Sequence, residues 1–122
     1  MKKRNGFFYL FAAFLISCGH HNGDTHISYK DRDGHYSMKA HFNERRTRAV
    51  EHYMNEKIGR KNNISFMNIE SDADFTLDDG TRFHLKKYPG HVEIEMDRAA
   101  NSDKSYYALK EMCEGIKDIV AR

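Results

Sequence analysis

Between Ala73 and Asp97 apolar side chains recur at every second position, and two turn signals divide the run. Such alternation sends successive side chains to opposite faces of a sheet. Asp78-Asp79-Gly80 fits a three-residue hairpin loop with glycine in the left-handed position, and Pro89-Gly90 makes the next turn. The first loop pairs Phe75 with Phe83 and Ala73 with Leu85. The second pairs Leu85 with Ile94 and Phe83 with Met96, so three antiparallel strands share one apolar face. L-Pro-Gly prefers a type II turn, whose twist suits a tight hairpin poorly, which leaves a wider loop open there.

The same registers compose the opposite face. Asp74 lies beside His84, which lies beside Glu95; Arg82 is flanked by Thr76 and Asp97, and Lys86 by Glu93. Cross-strand pairs of opposite charge contribute roughly 0.2–1 kcal/mol each relative to alanine. Because carboxylates favour imidazolium, Asp74, His84 and Glu95 are candidates for a metal site or a proton-transfer group. The structural reading of the trio is the ordinary outer face of an antiparallel sheet.

The remaining segments supply further strands and two helices. Ile27 to Phe42 carries Tyr36, Met38, Ala40 and Phe42 in alternation, and Asp33-Gly34 is a type I′ hairpin signal that pairs Tyr29 with Met38 and Ile27 with Ala40. Asn43 caps a helix running to about Ile58, with Val50, Tyr53, Met54 and Ile58 on one stripe and Gly59 as its stop. Arg45, Arg46 and Arg48 crowd its first turn, where the helix dipole disfavours cations; they are candidate contacts for phosphate or an acidic partner, or a solvated turn. Ile64 to Ile69, apolar on both faces, reads as a central strand, and Glu70-Ser71-Asp72 as a turn or bulge. A last helix, capped by Ser102 or Asp103, aligns Leu109, Met112, Cys113, Ile116, Ile119 and Val120 on one arc. Cys113 then reads as a small buried hydrophobe, Gly115 as a point of close approach, and Tyr107, off the arc, as a candidate partner contact. The fold class is α+β: an antiparallel sheet of five or six strands with two amphipathic helices packed on one face, in the order ββαβ(β)ββα.

Ahead of this domain, residues 26–122, stands a segment of another kind. Lys2, Lys3 and Arg4 lead into an apolar run from Phe7 to Ile16, which stops at Ser17-Cys18. Charged head, short apolar middle and small residue at the cut are the order of a signal peptide. The run is shorter than the ~20 residues that cross a hydrocarbon core. Leu15-Ile16-Ser17-Cys18 resembles the lipobox of bacterial prolipoproteins. The resemblance implies that residues 1–17 are cleaved between Ser17 and Cys18, that the Cys18 thiol takes a diacylglyceryl group, and that the new amine is acylated. Gly19, where some enterobacterial lipoproteins have aspartate, implies sorting to the outer membrane. Residues 18–25 are then a lipidated cysteine and a polar tether. Its His20 and His21, with Asp24 and His26, have imidazole and carboxylate donors for a metal but no scaffold to fix them.

Processing also changes the charge balance. Loss of 17 of the 122 residues leaves 105, and loss of three of the 20 cations leaves 17 against 18 acids. The basic pI of the full chain therefore gives no ground for a nucleic-acid or an anionic-membrane partner. With Cys18 lipidated, Cys113 is the sole remaining thiol, so no internal disulfide framework is expected.

Three function classes follow. No nucleophile elbow, phosphate loop, HExxH or paired cysteines are present, which favours a non-catalytic binding or assembly module for an envelope protein, held to the membrane through lipid on Cys18 and needing no cofactor. The second class is a periplasmic metal or small-ligand carrier using His84, Asp74 and Glu95 or the amino-terminal histidines. The third is an enzyme built on His84 or His91.

Overall fold

Five antiparallel strands order as β1-β2-β5-β4-β3 in one sheet: β1 His26–Arg32, β2 His35–His41, β3 Ser71–Thr76, β4 Arg82–Tyr88 and β5 His91–Asp97. The structure, a computed structural model, describes residues 25–122; the signal segment, Cys18 and the tether with His20 and His21 lie outside the described residues. Helix α1 (Thr47–Met54) follows the first hairpin, and α2 (Asp103–Val120) follows β5. The fold is the expected α+β arrangement in the order ββαβββα.

The alternation acts as its chemistry requires. Asp33 (φ 55°) and Gly34 (φ 77°) make the first hairpin turn, which sets Tyr29 against Met38 and Ile27 against Ala40. Phe75 faces Phe83, Ala73 faces Leu85, and Leu85 faces Ile94. Tyr36, Met38, Ala40, Phe83, Leu85, Val92, Ile94 and Met96 are buried on the inner face. Val50, Met54 and Ile58 from the first helical segment, and Leu109, Met112, Cys113 and Ile116 from α2, close over them in the same cluster. Pro89-Gly90 makes a tight two-residue loop, since Tyr88 pairs directly with His91. Gly90 (φ 79°) supplies the left-handed position, and outside contacts hold the turn: its N–H donates to Thr47 Oγ1 at 2.9 Å and its carbonyl accepts from Phe42 N–H at 2.9 Å.

Three local expectations are corrected. Ile64 to Ile69 is not a strand. Phe66 is fully buried as a plug in the core, and its N–H donates to Asn55 Oδ1 at 2.7 Å, so side chains take the backbone groups that a ladder would use. The strand begins instead at Ser71, where a turn was expected, and Asp72 belongs to it. Gly59 does not end the helix: it is helical (φ −70°), inside a π turn Asn55–Gly59 that passes into a 3-10 turn Arg60–Asn62. Asn63, left-handed at φ 57°, is the stop. A Cβ on Gly59 would stand 2.8 Å from the Ile64 carbonyl, so the glycine serves a close backbone approach.

Buried charge marks the inner face at one point. Lys87 shares the parity of Phe83 and Leu85 and is 2% exposed; its Nζ donates to Glu51 Oε2 at 2.5 Å and to the Ile69 carbonyl at 2.6 Å. Strand β4, α1 and the loop before β3 meet at this ammonium. Breaking a buried pair strands a charge, at a cost of roughly 3–5 kcal/mol, whereas an apolar pair of similar volume is often neutral or better. Lys87→Ala should therefore lower the unfolding free energy by roughly that amount, and Glu51→Leu with Lys87→Met should recover most of it in urea denaturation.

Gly115 lets α1 and α2 meet. A Cβ there would lie 1.7 Å from Tyr53 Oη and 2.2 Å from its Cζ, so the tyrosine ring occupies the space. Gly115→Ala should destabilise by roughly 1–3 kcal/mol through overpacking. In a Tyr53→Ala background the same change should stabilise by about 1 kcal/mol, the helix-propensity gain alone. Thermal unfolding of the four variants reads that change of sign.

Candidate functional site

Because both helices cover the inner face, the side chains of opposite parity form a second face that no described element covers. It is organised in columns, one per strand. Lys30 and Arg32 stand on β1, Lys39 on β2, Glu93, Glu95 and Asp97 on β5, Arg82, His84 and Lys86 on β4, and Asp72 and Asp74 on β3. Register partners across these columns are Lys39 with Glu93, Glu93 with Lys86, and Glu95 with His84. Over the β5, β4 and β3 columns the face is hollowed, with a volume of about 620 Å³ lined by His35, Asp72, Asp74, Arg82, His84, Lys86, Glu93, Glu95 and Asp97 among others.

His84 sits at the centre of the hollow. Its Nδ1 lies 2.7 Å from Asp74 Oδ1 and its Nε2 lies 2.7 Å from Asp72 Oδ1. Asp74 and Asp72 both reach across from β3, and their hydrogen bonds raise the His84 pKa above its usual value, Asp74 contributing most. The expected partner Asp74 is in place. Glu95 is opposite His84 in register, but Asp72 supplies the second bond. The turn-forming Glu70 and Ser71 mask Asp72 in the sequence; its spacing of two from Asp74 is the signal that places both carboxylates on one face. As an imidazolium His84 donates from both ring nitrogens, which leaves neither lone pair for a metal or for a substrate proton. Among the described residues no group of three or more histidine, cysteine, aspartate and glutamate side chains is arranged to hold a metal ion.

Two further imidazole–carboxylate pairs flank this one. His35 Nδ1 meets Asp97 Oδ1 at 2.9 Å, and His91 Nε2 meets Glu93 Oε2 at 2.6 Å. His91 is nearly buried, stacks on Tyr88 with ring centres 4.6 Å apart, and leaves its Nδ1 without a partner. Burial pushes the Glu93 carboxyl up, but the hydrogen bond from His91, with help from Lys39 and Lys86, holds it below the usual carboxylate range.

The other candidates lie elsewhere. Arg45, Arg46 and Arg48 follow the Asn43 cap, whose Oδ1 accepts from Arg45 N–H at 3.0 Å; Arg46 Nη2 reaches the Arg122 carbonyl at 2.8 Å. Tyr107 is 54% exposed on α2, with the Arg98 guanidinium 5.3 Å from its ring centre. Asp31, which the sequence reading passed over, accepts from Tyr106 Oη at 3.0 Å and from Lys110 Nζ at 2.8 Å and ties the first hairpin to α2. Cys113 is fully buried and its thiol pKa is pushed up to about 12 by burial, which fits a packing role. No described helix is long and apolar enough to cross a membrane. Comparison with protein-family models, curated proteins and solved structures finds no match.

The His84 clamp makes the β3 edge pH-dependent. A raised folded-state pKa means that the clamp's contribution is complete below the unfolded value of about 6.5. It is lost as pH rises through the folded value. Thermal unfolding midpoints relative to a His84→Gln variant should converge as pH rises. The His84 ring, followed by NMR, should titrate above the unfolded value in the parent chain and fall towards it in Asp72→Asn with Asp74→Asn.

Proposed function

We propose that this chain is a small lipoprotein of the bacterial cell envelope, fixed to the outer membrane through lipid on Cys18, and that its domain is a non-catalytic module presenting the open sheet face to another envelope protein. The observation that carries the reading is the order of Met1 to Cys18, a basic head, a short apolar run and Leu15-Ile16-Ser17-Cys18, placed eight residues before a folded domain. The open face supports the second half. From β2 to β3 its charges are set in columns of alternating sign by the strand registers, a pattern that rewards a partner of complementary register more than it rewards non-specific contact. The hollow is polar and its central imidazole is committed to two carboxylates, an arrangement suited to recognition by charge.

Mass spectrometry of mature protein from its native membrane should show an amino terminus at Cys18 carrying acyl chains. Cys18→Ala should move the protein out of the membrane fraction and reduce the set of proteins crosslinked to it in intact envelopes. A mature chain beginning elsewhere, or an unchanged crosslinking set, contradicts the proposal.

A further inference from the structure

The end of the domain at which the chain enters from Cys18 has a composition of its own. His26 opens β1 and pairs with His41, which pairs with His91; Tyr88, 40% exposed, stacks on His91. Phe42 and Thr47 bind the Pro89-Gly90 turn at the same end; Arg45 and Arg46 lie between them along the chain, and Arg48 follows Thr47. Arg45 and Arg48 are exposed, and among the described residues neither guanidinium has an ion-pair or hydrogen-bond partner. Glu44 is the acid of that turn. At the opposite end, by the Asp33-Gly34 turn, acids and bases offset one another in Asp33, Asp97 and Asp103 with Arg32, Arg98 and Lys104.

We infer that this basic, tyrosine-bearing end is a second membrane contact, which seats on the anionic phospholipid headgroups of the bilayer that holds the lipid. The inference rests on the proposed lipidation of Cys18. Seven residues separate Cys18 from His26, eight steps along the chain, so in any conformation that end stays within roughly 29 Å of the anchor. A seven-residue strand adds about 23 Å to the far end. Screening confines the attraction to a Debye length of about 8 Å at physiological salt, so a contact needs close seating, which the short tether favours at the near end. Cations attract an anionic leaflet, a tyrosine suits the headgroup layer, and a lipid chain joined to a basic patch is a general two-signal mode of stable attachment. Seated this way, the strands stand across the membrane surface and the open charged face looks sideways, clear of lipid.

Hydrogen exchange of the native acylated protein in nanodiscs tests the contact. Backbone amides of residues 42–48 and 90–92 should exchange several-fold more slowly in discs rich in phosphatidylglycerol than in pure phosphatidylcholine, while residues 31–36 and 98–104 stay unchanged. Arg45→Gln with Arg48→Gln, which removes no described contact, should abolish the difference, as should ~1 M salt, where the Debye length falls to about 3 Å. Equal exchange in both lipids, protection that survives the double substitution, or protection at the Asp33-Gly34 end overturns the inference. Failure of the anchoring proposal is read separately, as an absence of acyl mass. The same exchange comparison with free vesicles of the two compositions then decides the surface on its own.

Discussion

Strict alternation along five strands is the constraint on which the molecule depends. A side chain's parity decides whether it meets helices or water, and a slip of one residue exchanges the two faces. Every register pinned by the three hairpin loops respects that rule, so Phe83, Leu85, Ile94 and Met96 are buried while Arg82, His84, Glu95 and Asp97 are not. With two helices for one face, the other has no cover from within the described chain, and its charges pair along and across the strands instead. The columns, whose sign alternates from β2 to β3, are held in register by the same pairing that builds the core.

One charged side chain on the inner face explains more than its size suggests. Lys87 is on the inner face by register and is buried beside Glu51, with the Ile69 carbonyl as a third member. That carbonyl belongs to the loop that failed to become a strand. An ammonium that needs several acceptors, together with Phe66 seated in the core, holds residues 64–69 irregular, and the edge position passes to Ser71–Thr76. The edge strand is mostly exposed, so the two bonds from His84 to Asp72 and Asp74 are a material part of what ties it down.

Much of this was legible in the sequence, because turns and period-two patterns are local. Asp33-Gly34, Asp78-Asp79-Gly80 and Pro89-Gly90 gave correct pairings, the α2 arc gave its buried side, and Gly115 marked the helix contact. What escaped depends on partners distant along the chain. Glu51 and Lys87 are 36 residues apart, and no spacing rule joins a helix to a strand across a loop. Asp72 is hidden by turn-forming neighbours, and Gly59 serves a close approach of the Ile64 carbonyl, which no local pattern announces. Of the candidate trio, Asp74 and His84 were found because they are register partners. Glu95 was named and Asp72 passed over because hydrogen bonding runs diagonally as well as straight across.

The open face is the proposed partner surface, and photo-crosslinking in native envelopes tests it most directly. A photoreactive residue at Ser37 or Lys39 samples the open face, and one at Glu111 samples the outer side of α2. The account predicts a discrete protein adduct from Ser37 and Lys39 and none from Glu111. Adducts from Glu111 alone, or no adduct from either strand position while the protein is membrane-bound, would contradict it.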